Sequence, residues 1–393
     1  MIPEKFLKSL TGYDGPATLS AVPPGMDAFV LAELARAGRP VAYILSDGQR
    51  IVDIEQNLAF LAPDIPVLTL PGWDCLPYDR VSPGADVSAR RLEALSGLAA
   101  MQDNPHGAIV LVTVNAALQR VPPRDAIRQM GFSARAGSVI KMEDLAGRFE
   151  RLGFDRVATV REVGEYAVRG GILDAFLPGA DEPVRLDFFG DTLETIRNFD
   201  AVSQRTTGQV KELRLNAMSE VSLDPETVSR FRANYLRQFG AATRDDALYA
   251  AISEGRRFAG MEHWLPLFYE RLETVFDYLD GFRIVTDHVA VEAAGERREQ
   301  IVDYYQSRDE QLAQSKGQGI QAAPYKPVPP DALYLDQQEF SVTLDHSGSL
   351  RLSPFTEPET SVRKVFELDA HVGPRWAAEA EKREDGETRV NLF

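Results

Sequence analysis

A change of pattern near residue 121 constrains the fold more than any other feature of this chain. Before it, short apolar runs alternate with amphipathic stretches. VAYILS (41–46), VLTL (67–70) and AIVLVTV (108–114) read as buried strands, and AFVLAELARAG (28–38) and VSARRLEALSGLAAM (87–101) as helices. Strands without polar alternation are covered on both faces, and strands separated by helices are joined by crossovers. The first 120 residues therefore predict a parallel α/β sheet. After VPPRD (121–125) strands follow one another directly. VREVGEYAVRGGILDAF, VRLDFF (184–189) and LETIRNFD are linked by turns such as LPGADEP and GDT. Tight turns between consecutive strands imply an antiparallel meander. A helix is expected over 142–154, with Leu145, Phe149 and Leu152 on one face.

Beyond residue 213 helices are expected at 225–240, 245–255, 263–279 and 296–315, with a strand FRIVTD at 282–287. Residues 317–331 read as loop. The stretch AAEAEKREDGET (377–388) has the composition of a linker. The expected organisation is an α/β domain in two parts, 1–123 and 213–345, a small α+β domain at 124–212, and a linker at 346–393 leading to a further domain.

Net charge is −16, which disfavours general binding to nucleic-acid phosphates and favours a protein partner. One cysteine, Cys75, excludes an internal disulfide and suits a reducing cytoplasm. No apolar run approaches the ~18 residues of a membrane span. The five histidines show no i, i+4 pairing, so a zinc site is not expected. The dipeptide Gly-Lys, which a phosphate-binding P-loop needs, is absent. The turn where such a loop would sit, TLSAVPPGMDAFVLAEL (18–34), carries prolines and Asp27.

Four blocks carry a family resemblance: PGWDCLPYDRVSPGADVSARRLEAL (71–95), LVTVNAALQRVPP (111–123), EYAVRGGILDAFLPGADEPVRLDFFGDTLETIRNFDAVSQRT (165–206) and GMEHWLPLF (260–268). Together they resemble the N-terminal part of the bacterial transcription-repair coupling factors. The 165–206 block is also similar to the excinuclease subunit UvrB. The resemblance implies a degenerate helicase-like α/β domain interrupted by a module that binds UvrA. Laid against the UvrB pattern, the phosphate-gripping lysine falls on Asp27 and the next hydroxyl on Ala28. In FRIVTDHV, Asp287 is kept and His288 replaces the catalytic glutamate. The long DNA-inserting hairpin of UvrB is replaced by a short turn between Tyr78 and Arg90. No catalytic residue and no cofactor are therefore expected in this segment. In the family, the motor that uses ATP and magnesium and the contacts to RNA polymerase and DNA lie elsewhere, and a C-terminal domain masks the UvrA-binding surface. The alternative is an ATP-dependent translocase within this chain.

The strand VRLDFF separates Val184, Leu186 and Phe188 from Arg185, Asp187 and Phe189, because side chains alternate faces. An outward phenylalanine beside an arginine has the composition of an interface. The pair Gly170–Gly171 after Arg169 suggests a bulge that re-aims Arg169 toward Arg185. It does not lead into a helix, so it is no phosphate cradle. By resemblance Arg169, Arg185 and Phe189 fall on UvrA-binding positions, with Asp187, Glu165 and Arg205 nearby.

Overall fold

The computed structural model describes residues 4–23, 25–46, 48–101, 107–243, 245–318 and 325–368. The first strands, β1 (Ala17–Ser20), β2 (Val41–Leu45), β3 (Val67–Leu70) and β4 (Ile109–Thr113), are separated by helices, as the apolar periodicity requires. In β2 the alternation splits the core in two. Val41, Tyr43 and Leu45 pack under the helices Met26–Arg36 and Gln49–Leu61, and Ala42 and Ile44 face the helix Ala85–Met101 on the other side. Among the described residues no helix is long and apolar enough to cross a membrane.

The chain then leaves this layer. β5 (Phe132–Arg135) begins a module comprising β6 (Asp155–Arg156), β7 (Glu165–Arg169), β8 (Ile172–Ala175), β9 (Val184–Phe189), β10 (Thr192–Phe199) and β11 (Thr206–Val210). β12 (Glu212–Leu215) returns antiparallel to β5, forming a two-stranded neck. The module sheet runs β11-β10-β9-β8-β7-β6, antiparallel except for the short β6–β7 pair. Its inner face packs on the helix Met142–Arg151, where Phe149 stacks 5.5 Å from Tyr166 and meets Phe154 edge-on at 4.8 Å. Leu145, Phe149 and Leu152 are buried there, as are Val184 and Leu186 of β9.

The parallel sheet is completed by β13 (Arg283–Asp287), β14 (Leu350–Leu352) and β15 (Lys364–Glu367), in the order β15-β1-β14-β13-β2-β4-β3. This corrects the reading of 346–393 as linker. β14 sits between β1 and β13, and β15 pairs with β1, although runs of three and four residues carry no periodicity of their own. The described residues end at 368, so the charged stretch 377–388 lies outside them. The helix expected over 263–279 is also corrected. Pro266 lacks an amide hydrogen, and the segment forms a 3₁₀ turn, Met261–Leu267, kinked at Trp264, then a short helix, Val275–Tyr278. The helix expected from 296 begins at Ala290 and runs to Gln318. Gly170–Gly171 is not a bulge. Arg169 pairs with Ile172, so the glycines are the two residues of a hairpin turn, with Gly170 at φ 59° in its first position. A bulge does occur, in β10, where the register shifts between Leu193 and Thr195.

The 71–95 block fastens module to frame. Arg91 is fully buried, and its Nε donates to Glu220 Oε1 at 2.6 Å. Trp73 Nε1 donates to the same oxygen at 3.0 Å, and the Tyr269 hydroxyl donates to the Glu220 carbonyl. Glu220 lies just past the neck. Tyr78 is buried, with its ring edge-on to Tyr305 and Tyr334, and its carbonyl accepts from Arg308 Nε. His263 packs edge-on against Trp73, and burial lowers its pKa to about 4.

Two outcomes follow. Glu220→Ala leaves a buried, unpaired guanidinium and lowers stability by roughly 3–5 kcal/mol in urea unfolding. For His263 the folded pKa lies below the unfolded value of 6.5. The unfolded chain therefore takes up the proton first, and stability falls between pH about 6.5 and about 4, by on the order of 3 kcal/mol. Urea midpoints of His263→Gln against the native chain across that window isolate this contribution, which the variant lacks.

Candidate functional site: a charged sheet face and a self-filled cleft

The outer face of the module sheet is built in rows, because directly paired residues share a face. One row is Arg169, Ile172, Asp187 and Thr195; the next is Asp174, Arg185, Arg197 and Gln209. Asp174 has no exposed surface, and both of its oxygens are taken. Arg185 reaches it through Nε (2.7 Å) and Nη2 (2.9 Å), and Arg169 through Nη2 (2.6 Å). The Arg185 guanidinium also lies 4.6 Å from the centre of the Phe199 ring. Its hydrogen bond to Asp174 holds its pKa above the ordinary arginine value. The two arginines are thus fixed side by side by one buried carboxylate. Arg169 keeps 49% of its side chain exposed, Arg185 only 17%.

Asp187 accepts from Thr195 Oγ1 at 2.6 Å and from Arg197 Nε and Nη2 at 2.9 and 2.8 Å. Phe189 is 76% exposed, so no other element covers it. Arg169, Arg185, Asp187 and Phe189 are therefore brought together on one surface. Glu165 is not free to join them, because its carboxylate accepts the backbone amides of Arg161 and Glu162 and closes that turn. Arg205 is exposed on the neighbouring turn, next to Gln204, whose carbonyl receives Arg185 Nη1 at 3.5 Å. Asp174 and Arg197 were missed in the sequence reading. The signal for Asp174 was an aspartate between apolar neighbours in ILDAF.

The second candidate is the cleft at the carboxyl ends of β1, β2, β13 and β14, where α/β folds of this kind bind ligands. It encloses about 630 Å³ and is lined by Asp27, Tyr43, Arg50, Asp287 and His288 among others. The helix Met26–Arg36 opens with Gly25 at φ 86° and then Asp27. Asp27 Oδ1 accepts from the amide of Ala28 at 3.0 Å, and Oδ2 from Arg50 Nη2 at 2.5 Å. A helix N-terminus attracts anions, and here that position holds the chain's own carboxylate. Asp287 Oδ2 accepts from the amide and hydroxyl of Ser46 at 2.8 and 2.6 Å, and Arg50 lies 3.9 Å from it. His288 packs edge-on against Phe355. Burial, then Asp27, pushes the Tyr43 hydroxyl up, so it stays neutral. Among the described residues no group of three or more His, Cys, Asp or Glu side chains could hold a metal ion.

Residues 132–220 match the family model of the UvrB interaction domain. This range contains the neck, the helix Met142–Arg151 and the charged face. The chain is 31% identical over 324 residues to a transcription-repair-coupling factor of Haemophilus influenzae, covering 82% of this chain and 27% of that protein. It is 31% identical over 315 residues to one of Escherichia coli (79% and 26%), and 38% identical over 266 residues to one of Myxococcus xanthus (64% and 22%). The chain is thus similar to part of the transcription-repair-coupling factors. It spans between a fifth and a third of the length of these relatives. The fold class expected from the resemblance, a helicase-like parallel sheet carrying an α+β module, is the one observed.

Arg50 holds two buried carboxylates at once. Arg50→Met is expected to lower stability by roughly 1–3 kcal/mol, discounted for its partial exposure. In a double-mutant cycle with Asp27→Asn the two effects should fall short of additivity by at least about 0.5 kcal/mol in urea unfolding.

Proposed function

We propose that this chain is the UvrB-like N-terminal module of a transcription-repair-coupling factor, and that it recruits UvrA to RNA polymerase stalled at a DNA lesion in transcription-coupled excision repair. The observation that carries this reading is the Arg169–Asp174–Arg185 triad beside the exposed Phe189, inside a UvrB interaction domain. A planar cation and an aromatic ring are the residue types that dominate binding energy at protein interfaces. Here their geometry is set before the partner arrives, which limits the entropy lost on binding. Asp187, held by Arg197, borders the same contact, and Arg205 stands at its margin; Glu165 supports the turn beside it.

The chain works as an adaptor in this reading, in the cytoplasm and without ATP turnover of its own. Asp27, its carboxylate at the helix N-terminus, repels a triphosphate, and Arg50 is engaged where a nucleotide's metal and phosphates would lie. His288 offers no carboxylate to activate water. Contacts to polymerase and DNA, and the motor that consumes ATP and magnesium, belong to other parts of the relatives. Masking of the face by a C-terminal domain in the longer protein fits an outer sheet face left open here.

The test is a calorimetric titration of the chain into purified UvrA, beside Arg169→Ala/Arg185→Glu. The native chain should bind saturably, and the double variant, with an unchanged circular dichroism spectrum, at least about tenfold more weakly, or ~1.4 kcal/mol. Absence of binding by the native chain overturns the reading. Phosphate release from ATP by the isolated chain, abolished by Asp287→Asn, would overturn the adaptor reading in favour of an enzyme.

A further inference from the structure

The tip of the β9–β10 hairpin carries a third row, which extends from Phe189 to Val139. Thr192 pairs with Phe189 on one side and, through an isolated antiparallel bridge, with Val139 on the other. The three side chains therefore share the outer face with Arg185 and Asp187. Val139 is 77% exposed, close to the 76% of Phe189. Val139 belongs to a short segment fastened to the edge of β10. Gly137 N donates to Leu193 O at 2.7 Å, Leu193 N to Ser138 O at 3.0 Å, and Ile140 N to Asp191 O at 2.7 Å. The bulge at Leu193–Thr195 keeps Thr192 and Thr195 on the same face across an extra residue, so the apolar row and the charged rows form one surface.

Two large apolar side chains bracketing a threonine on a fixed backbone differ from a scatter of single surface hydrophobics. The face also has a polarity. Its interior rows hold three arginines, Arg169, Arg185 and Arg197, against two carboxylates, Asp174 and Asp187. Its tip is flanked by the exposed Asp191 and Glu194. The surplus positive charge of the interior stands out on a chain of net charge −16.

We infer that Val139 is a further contact of the UvrA-binding face, where it extends the Phe189 anchor into an apolar strip that meets an apolar hollow of the partner, with the partner's carboxylates lying over the arginine rows. The inference rests on the proposed recruitment of UvrA. The strip and the change of charge sign along the face allow one docking orientation. Val139 is seated against Thr192 and surrounds the aromatic anchor on the side away from the arginines, where it excludes water from the contact.

The test measures UvrA affinity for the native chain and for Val139→Asp, Val139→Lys, Arg185→Glu and Phe60→Asp. Phe60 is 84% exposed on the helix Gln49–Leu61, outside the module, and serves as the control for a lost surface hydrophobic. Both Val139 variants should bind at least about fivefold more weakly, Phe60→Asp should bind as the native chain does, and the urea midpoints of all four should show whether each is folded. Weakening by aspartate alone would make the effect one of charge and overturn the apolar contact. Native affinity in both Val139 variants with weakened Arg185→Glu would overturn this inference and leave the recruitment reading standing. Absence of binding by the native chain would remove both.

Discussion

The carboxylate of Glu220 and the guanidinium of Arg91 are buried against each other, and neither would be tolerated there alone. This pair adds a polar fastening to two layers that the two-stranded neck and a continuous apolar core also connect. Trp73 supplies a second donor to the same oxygen and a ring for the guanidinium to lie over. Together with that core it fixes the charged face relative to the parallel sheet. Without such fastenings a small sheet on a neck would sample many directions.

The same economy of charge explains the two candidate sites. In the cleft a single arginine bridges two carboxylates; on the module face one carboxylate bridges two arginines. The first arrangement is closed, because Asp27 occupies the anion position of its helix and Arg50 neutralises it. The second is open, because Asp174 aligns the arginines without covering them, and 49% of Arg169 remains exposed. The cleft of the helicase-like frame thus keeps its volume of about 630 Å³ but holds the chain's own carboxylate at the anion position.

Much of this was legible in the sequence. The double burial of β2 and β4 follows from runs without polar alternation, whereas β3, read the same way, lies at the sheet edge with only Leu70 buried; the separation of Val184 and Leu186 from Arg185, Asp187 and Phe189 follows from the period of two. The resemblance to UvrB sets Asp27 where a phosphate-gripping lysine would fall, without coordinates. The triad was not visible, because it depends on two registers: the Gly170–Gly171 turn sets β7 against β8, and the longer connection 176–183 sets Asp174 opposite Arg185. Glu165 was placed beside the contact by resemblance, because its two amide partners come from a turn without a pattern. The segment 263–279 has apolar residues at helical spacing, but Pro266 and the kink at Trp264 stop the helix. β14 and β15 are too short to announce themselves, and they form only because β1 offers both of its edges.

That last arrangement bears on how the chain acquires its structure. The hydroxyl of Ser20 in β1 donates to the carbonyl of Phe366 in β15, across 346 residues of sequence. During synthesis from the amino end, β1 emerges early and has neither neighbour until residues 350–367 have been made. The edges of β1 stay open until then, which is the condition under which nascent chains associate wrongly. The module differs, since β7 to β11 are joined by short connections between neighbours and make local contacts that form quickly. The module is thus set to be complete while the frame that carries it still lacks β14 and β15.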